Sequence, residues 1–152
     1  MSASAVAYDL CEAAIFGDTG AGGMHVSASP GVGAWVYSVQ RFGDQQRTNN
    51  WPAIIIQIQE SEESPMSTDQ VVNLSIRFVI ESGRDAADSF TKQNAVMDRL
   101  HTVFRRKVLT TTSDGTKTWS FTPFEKLGSG QNVPGGKTNQ LVVPYVCVAK
   151  GT

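Results

Sequence analysis

The sequence predicts an α+β domain in which a mostly antiparallel sheet of two hairpins packs against one long helix, with a short N-terminal helix in addition. Three observations predict this fold. Residues 72–81 alternate between apolar and polar side chains, as in a strand with one buried face. A second alternating segment precedes them, and about two dozen residues with helical spacing of their apolar side chains begin near Asp85. We expect a single domain over residues 1–152.

The first element is a helix predicted from about Ala5 to Phe16. Ser4 is a suitable N-cap, and Gly17 can take the left-handed conformation that ends many helices. A long Gly-rich insert or loop then covers residues 18–50. It contains either a strand or short helix over residues 32–42 or a loop that orders against a partner. In the second case its aromatic side chains are candidate interface anchors, and in the first they are ordinary packing residues: Trp35, Tyr37 and Phe42.

Two alternating segments form the first predicted hairpin. The strand after Trp51 places Ile54, Ile56 and Ile58 on one face, and residues 60–69 form a polar turn. The strand over residues 72–81 places five apolar side chains on one face and polar ones on the other. We therefore expect a helix to cover only one side of this hairpin.

The covering helix is predicted to begin at Asp85 as its N-cap. Its core stripe is formed by apolar side chains at helical spacing, which are Phe90, Met97, Leu100 and Phe104, flanked by Val96 and Val103. Arg105, Arg106 and Lys107 fall in the last predicted turn, where positive charge complements the helix dipole.

The second hairpin consists of a strand over about 116–124, a Gly-rich loop, and a last strand over residues 140–150. The last strand has a second apolar face that includes Val142 and Val146, and Pro144 favours an edge position or a bulge. An edge strand with two apolar faces needs a cover. Val142 and Val146 are therefore candidate contacts with a neighbouring subunit.

Charge is divided unevenly along the chain. Residues 1–100 hold 12 acidic and 6 basic side chains, whereas residues 101–152 hold 2 acidic and 7 basic ones. The acidic cluster is Glu60, Glu62, Glu63 and Asp69, and the basic cluster is Arg99, Arg105, Arg106 and Lys107. They are either two solvated patches or the two sides of a head-to-tail contact between copies, which closes into a ring when the rotation permits.

The residues offer no catalytic, metal or cofactor site, so we expect a protein that is not an enzyme and binds no cofactor. The loop that ends in Gly136-Lys137-Thr138 lacks the spacing of a phosphate-binding loop and precedes a strand. His25 and His101 have no ligand partners at a recognisable spacing. No membrane span or signal peptide is expected. Cys11 and Cys147 are expected to be buried thiols, although a single bridge between them stays open.

The order of elements resembles the tail-terminator and tail-completion (head-tail joining) proteins of long-tailed bacteriophages. The resemblance rests on Ile15-Phe16-Gly17 at the end of the first helix, Trp51-Pro52-Ala53-Ile54-Ile55-Ile56 opening the first core strand, residues 72–81 leading into the long helix, and the final strand.

That resemblance implies a virion structural protein, assembled in the host cytoplasm, that forms a homo-oligomeric ring, most often of six subunits. The ring would cap the tail tube and offer a joining surface to the head-side connector or neck protein, with at most non-specific contact to passing DNA. The acidic turn and the basic helix end are then expected as subunit or pore contacts: Glu60, Glu62, Glu63, Arg105, Arg106 and Lys107. The alternatives are a neck or head-completion adaptor and, in another class, a small-ligand-binding or enzyme-accessory domain.

Overall fold

The computed structural model describes residues 2–20, 22–24, 36, 38–42, 52–62, 70–83, 89–113, 117–128, 130–134 and 138–152. Within these residues there are two helices and eight strands. The helices are α1 (Ala3–Phe16) and α2 (Ser89–Phe104). The strands are β1 (Ser38–Arg41), β2 (Ala53–Glu62), β3 (Gln70–Gly83), β4 (Thr112–Ser113), β5 (Thr118–Phe121), β6 (Glu125–Lys126), β7 (Gln131–Pro134) and β8 (Thr138–Gly151).

All eight strands belong to one sheet with the order β1-β2-β3-β8-β5-β4, and β6 and β7 also pair with β8. The antiparallel β3 and β8 pair along their whole length, from Gln70 opposite Gly151 to Gly83 opposite Thr138. β1 adds to the free edge of β2 in the parallel direction. Among its described residues, the insert over residues 18–50 contributes the short strand β1.

The predicted arrangement of two hairpins against one long helix is wrong. The chain is mostly sheet, and the sheet curls into a half-barrel that carries two helices. The reason lies in β7, β6 and β5, which follow one another along the second edge of β8. These strands have two to four residues each, too few for alternation to predict them.

The last strand is therefore an interior strand, which corrects the prediction of an exposed edge. Pro144 has no N–H to donate, and it lies opposite the break between β6 and β7. The Pro144 carbonyl oxygen accepts from the backbone N–H of Leu127 at 3.1 Å on that side. The proline thus occupies the one stretch of β8 where the outer ladder needs no donor.

Helix α1 begins earlier than predicted, with Ser2 as its N-cap accepting from the backbone N–H of Ala5 at 3.3 Å. Gly17 ends it with φ −76°, so the left-handed ending is also wrong. The helix also contacts the edge of β2 beyond the end of β1, where the backbone N–H of Ile58 donates to the Tyr8 hydroxyl at 3.0 Å. This contact replaces a missing ladder partner.

Helix α2 is shorter than predicted, at 16 residues, and Asp85 lies outside the described residues. Phe90 was expected in the core but its side chain is 58% exposed. Gln93 is buried instead, and its Nε2 donates to the carbonyl oxygens of Ile80 (3.1 Å) and Asn139 (2.8 Å). The predicted stripe is confirmed further along, where Val96, Leu100 and Phe104 are fully buried.

One hydrophobic core lies between the helices and the inward face of the sheet. Alternating side chains of β3 point into it as predicted, and they are Val72, Leu74, Ile76, Phe78 and Ile80. Alternating side chains of β8 point into it as well, and they are Leu141, Val143, Tyr145, Cys147 and Ala149. Its centre is aromatic: the rings of Phe78 and Phe104 are 4.5 Å apart, and Phe104 stacks on Phe124 at 5.7 Å. Both helices pack on this one face of the sheet.

Candidate assembly surfaces

The outward face of the sheet carries neither described helix, and we call it the helix-free face. Because side chains alternate along a strand, it is formed by the residues between the core positions. They include Ile55 and Gln57 on β2, Asn73, Ser75, Arg77 and Val79 on β3, and Val142, Pro144, Val146 and Val148 on β8. Ile55 is buried, Arg77 is exposed, and the other side chains of this set are half-buried. The face thus presents a partly apolar surface with one cation at its centre.

Val142 and Val146 both lie on the helix-free face, opposite Val79 and Ser75 of β3. The prediction placed them on a second apolar face of the last strand, and that placement is confirmed. Its reason was wrong, because β8 is not an edge strand. Their contact with a neighbouring subunit stays a prediction.

Two grooves cross this side of the sheet. The larger, of about 640 Å³, is lined by Glu60, Asn73, Ser75, Glu125, Val146 and Val148 among others. The smaller, of about 330 Å³, lies between Arg77, Leu127, Val142 and Pro144. Leu127 is 60% exposed at its rim, and the side chain of Arg77 has no hydrogen-bond or ion-pair partner among the described residues.

Of the predicted acidic contacts, Glu60 has an intramolecular role. Its Oε1 accepts from the backbone N–H of Ser4 at 2.7 Å, in the first turn of α1. A carboxylate is favourable there because the first N–H groups of a helix have no intrahelical acceptor. Glu62 is the last residue of β2, and Glu63 lies outside the described residues. Their interface role stays a prediction.

The predicted aromatic anchors of the insert fall mostly outside the described part of the chain. Trp35 and Tyr37 are not among the described residues. Phe42 follows β1, donates its backbone N–H to the carbonyl of Ile56 at 2.8 Å, and leaves its side chain 59% exposed.

The predicted basic residues follow α2 rather than forming its last turn. Arg106 has a left-handed backbone with φ 57°, and its N–H donates to the Phe124 carbonyl at 3.1 Å. The Lys107 N–H donates to the Phe104 carbonyl at 3.0 Å, and the Lys107 carbonyl accepts from the Phe124 N–H at 2.8 Å. This pairing fixes the backbone of residues 106–107 against the segment that leads into β6.

That pairing brings Lys126 toward the end of α2. The side chains of Arg105, Arg106 and Lys126 are exposed and have no hydrogen-bond or ion-pair partner among the described residues, and we call these three the basic corner. Lys107 is half-buried and lies behind it. Sequence reasoning missed Lys126, since only backbone pairing between distant segments brings it there.

Arg99, predicted in the same cluster, is engaged elsewhere. Its Nε donates to Asp18 Oδ2 at 2.8 Å, and its Nη2 also contacts the Asp18 carboxylate, which accepts the Met24 N–H at 2.9 Å. Hydrogen bonding to Asp18 raises the pKa of Arg99. Because Asp18 is buried, this ion pair ties the end of α1 to α2 and belongs to the fold.

His101 lies beside the basic corner. Its Nδ1 forms a hydrogen bond with the Tyr145 hydroxyl, and its Nε2 is buried without a partner among the described residues. Burial lowers the pKa of His101, and the positive charges of Lys126 and Arg105 lower it further, against a smaller opposing effect of Asp98. Burial also raises the pKa of Tyr145 to about 12. The pair is therefore neutral at physiological pH.

The described residues contain no group of three or more His, Cys, Asp or Glu side chains placed to hold a metal. Cys11 and Cys147 are free and buried, as predicted, and burial raises the pKa of both thiols, that of Cys147 to about 12. Such thiols are poor nucleophiles because the reactive form is the thiolate. Among the described helices, none is long and apolar enough to span a bilayer.

Comparison with known proteins gives no family. No protein-family model matches the chain, and no curated protein matches it. One solved structure, whose name gives no function, aligns over 93% of this chain and 94% of its own length, with 12% sequence identity and a TM-score of 0.43. A likeness at that level identifies neither a family nor a function.

Proposed function

We propose that the protein is a structural component of a bacteriophage tail, a tail terminator that forms a ring on the end of the tail tube and offers a surface for head joining. The observation that carries the proposal is the helix-free face. It is the outward side of the long β3–β8 pair, and half-buried valines lie around Arg77, whose side chain has no partner among the described residues. Neighbouring apolar side chains on a sheet face that no described helix covers form a candidate interaction surface.

The chemistry of the described residues supports a binding role. The larger groove is lined by two carboxylates, those of Glu60 and Glu125, together with neutral polar and apolar side chains, and the smaller one by Arg77 with neutral side chains. Both grooves lie open on the sheet surface, whereas a small-ligand site encloses most of the surface of its ligand. The two sides of the proposed ring differ, and this difference would stop growth of the tail tube. One side binds the last ring of the tube, and the other side lacks the surface to which further tube protein adds.

The proposal is tested by binding to preformed tail tubes. We expect the wild-type protein to sediment with the tubes and to appear at one tube end by negative-stain microscopy. Val142→Lys places a charge on the helix-free face and is expected to abolish binding. Asn94→Lys, on the exposed side of α2, makes the same charge change away from that face and serves as the control.

Circular dichroism and thermal unfolding verify that both variants keep the native fold. Wild-type protein that binds isolated connector rings but never tubes would replace the terminator by the neck adaptor. If Val142→Lys and the control bind tubes equally well, the helix-free face is not the assembly surface.

A further inference from the structure

We propose that adjacent copies of this chain associate head to tail, with the basic corner of one copy against an acidic edge of the next. The acidic edge is formed by Asp9 and Glu12 of α1 and Glu60 of β2. The inference deepens the proposed ring by naming the subunit contact within it. Four observations support it.

The first observation concerns the backbone of the basic corner. Arg106 is in the left-handed region, where glycine is favoured at the end of a helix and a side chain adds strain. The Arg106 side chain is exposed and forms no hydrogen bond or ion pair among the described residues that would offset this strain. A strained residue with a free functional group points to a role outside the fold.

The second observation is that the corner is preformed. Two backbone hydrogen bonds join residues 106–107 to Phe124, and Lys126 follows two residues later on β6. Arg105, Arg106 and Lys126 are thereby held on one side of the sheet, the side of α2. A preformed cluster loses little conformational entropy when it meets a partner.

The third observation is an excess of carboxylates on the acidic edge. Arg41 is the cation there, and it is shared between Asp9 and Glu12, with Nε 2.8 Å from Glu12 Oε1. The Asp9 side chain remains 52% exposed. Glu60 is exposed too and is held in place by the N–H of Ser4. Among the described residues, the three carboxylates and one guanidinium give this edge a net negative charge.

The fourth observation is the position of the two surfaces. Helix α1 lies along the outer edge of β2, whereas β6 lies beyond β8, and β3 and β8 separate the two. With strands about 4.8 Å apart, three strand spacings, or roughly 14 Å measured along the sheet, separate the two surfaces. Surfaces of opposite charge at opposite edges suit a heterologous contact, since an isologous one brings a surface against itself.

The partner we infer is a second copy rather than a nucleic acid. A phosphate backbone would satisfy the basic corner but leaves the acidic edge without a role. A second copy satisfies both surfaces at once. Charge complementarity of this kind sets the partner and the register, while apolar packing adds affinity.

The test is a charge exchange between two variants. The corner variant is Arg105→Glu/Arg106→Glu, and the edge variant is Asp9→Lys/Glu60→Lys. We expect each alone to need at least about tenfold higher protein concentration than wild type for association, as followed by native mass spectrometry and sedimentation velocity. An equimolar mixture of the two should recover association, in complexes that alternate the variants. Rising salt should weaken association of the wild type, since charges at an exposed contact are screened.

Thr91→Glu/Asn94→Glu is the control, because it adds acidic charge on the exposed side of α2 and should associate as wild type does. Thermal unfolding verifies the fold of every variant. Wild type that stays monomeric with and without tubes, or variants that associate as wild type does, would overturn the contact. So would a corner variant whose only defect is in binding a double-stranded oligonucleotide. If the charge-exchange variants still form rings that cap tubes as wild type does, the contact is refuted and the proposed function stands. If wild type associates but does not cap tubes, the contact stands and the proposed function is refuted.

Discussion

Gln93 offers a direct test of how α2 is fixed to the sheet. Its amide is buried and donates to carbonyl oxygens on both β3 and β8. Gln93→Met keeps the length of the side chain and removes both donors. Each lost hydrogen bond costs about 0.5–1.5 kcal/mol, so we expect a loss of about 1–3 kcal/mol of unfolding free energy. In a chain of 152 residues this corresponds to a Tm lower by about 2–12 °C.

The assay is urea unfolding followed by far-UV circular dichroism. Gln59→Met is the matched control, because it makes the same substitution at an exposed position of β2 and should change stability by less than about 0.5 kcal/mol. If Gln93→Met and the control have equal stability, the two hydrogen bonds do not fix the helix. Gln93→Glu gives a second readout: burial favours the protonated acid, so its stability should fall as pH rises above about 4.3.

Three further predictions concern stability. Arg106→Gly should raise the unfolding free energy by up to about 1 kcal/mol, because glycine relieves the strain of the left-handed backbone at φ 57°. A lower unfolding free energy of the variant in urea would show that the Arg106 side chain stabilises the monomer. His101 has a lowered pKa in the folded state, so the unfolded chain binds more protons and the unfolding free energy should fall as pH drops below about 6.5. His101→Gln should remove this pH dependence of the unfolding free energy. An unchanged pH dependence in the variant would assign it to other groups. Gly23→Ala should cost about 1–3 kcal/mol, since an added Cβ would stand 2.3 Å from the Asp18 carbonyl oxygen, whereas Gly20→Ala meets no atom within 4 Å and should not show that loss.

The part of the fold that followed from the sequence is the part with a long periodic signal. Alternation over residues 72–81 correctly assigned five apolar side chains of β3 to the core, and alternation over residues 140–150 separated the two faces of β8. The apolar stripe in the second half of α2 was correct for the same reason, with Leu100 and Phe104 buried. These patterns depend only on neighbours in sequence, which is why they are readable.

The rest depends on pairing between distant segments. β5, β6 and β7 are stabilised by one long partner strand, and their two to four residues carry no alternation. From the sequence, Pro144 favoured an edge position for the last strand, because proline has no N–H to donate. The gap between the short partner strands β6 and β7 accommodates the missing donor equally well. Gln93 was missed because a buried amide fits no apolar stripe, and its two acceptors lie on other strands.

The candidate surfaces show the same division. Arg105 and Arg106 were recognised as a basic cluster from their adjacency, and Val142 and Val146 from their alternation. Lys126 joins the corner only through the backbone pairing at Phe124. Glu60 was recognised as an exposed acid, but its bond to Ser4 is set by where α1 docks.

The most direct test of the proposed function is the length of tail tubes grown in its presence. Purified tube protein is polymerised with increasing amounts of this chain, and tube lengths are measured by negative-stain microscopy. Termination predicts a distribution that shortens with dose, with extra density at one end of each tube. Lengths that do not change at any dose, with no density at either end, would contradict the role proposed for this protein.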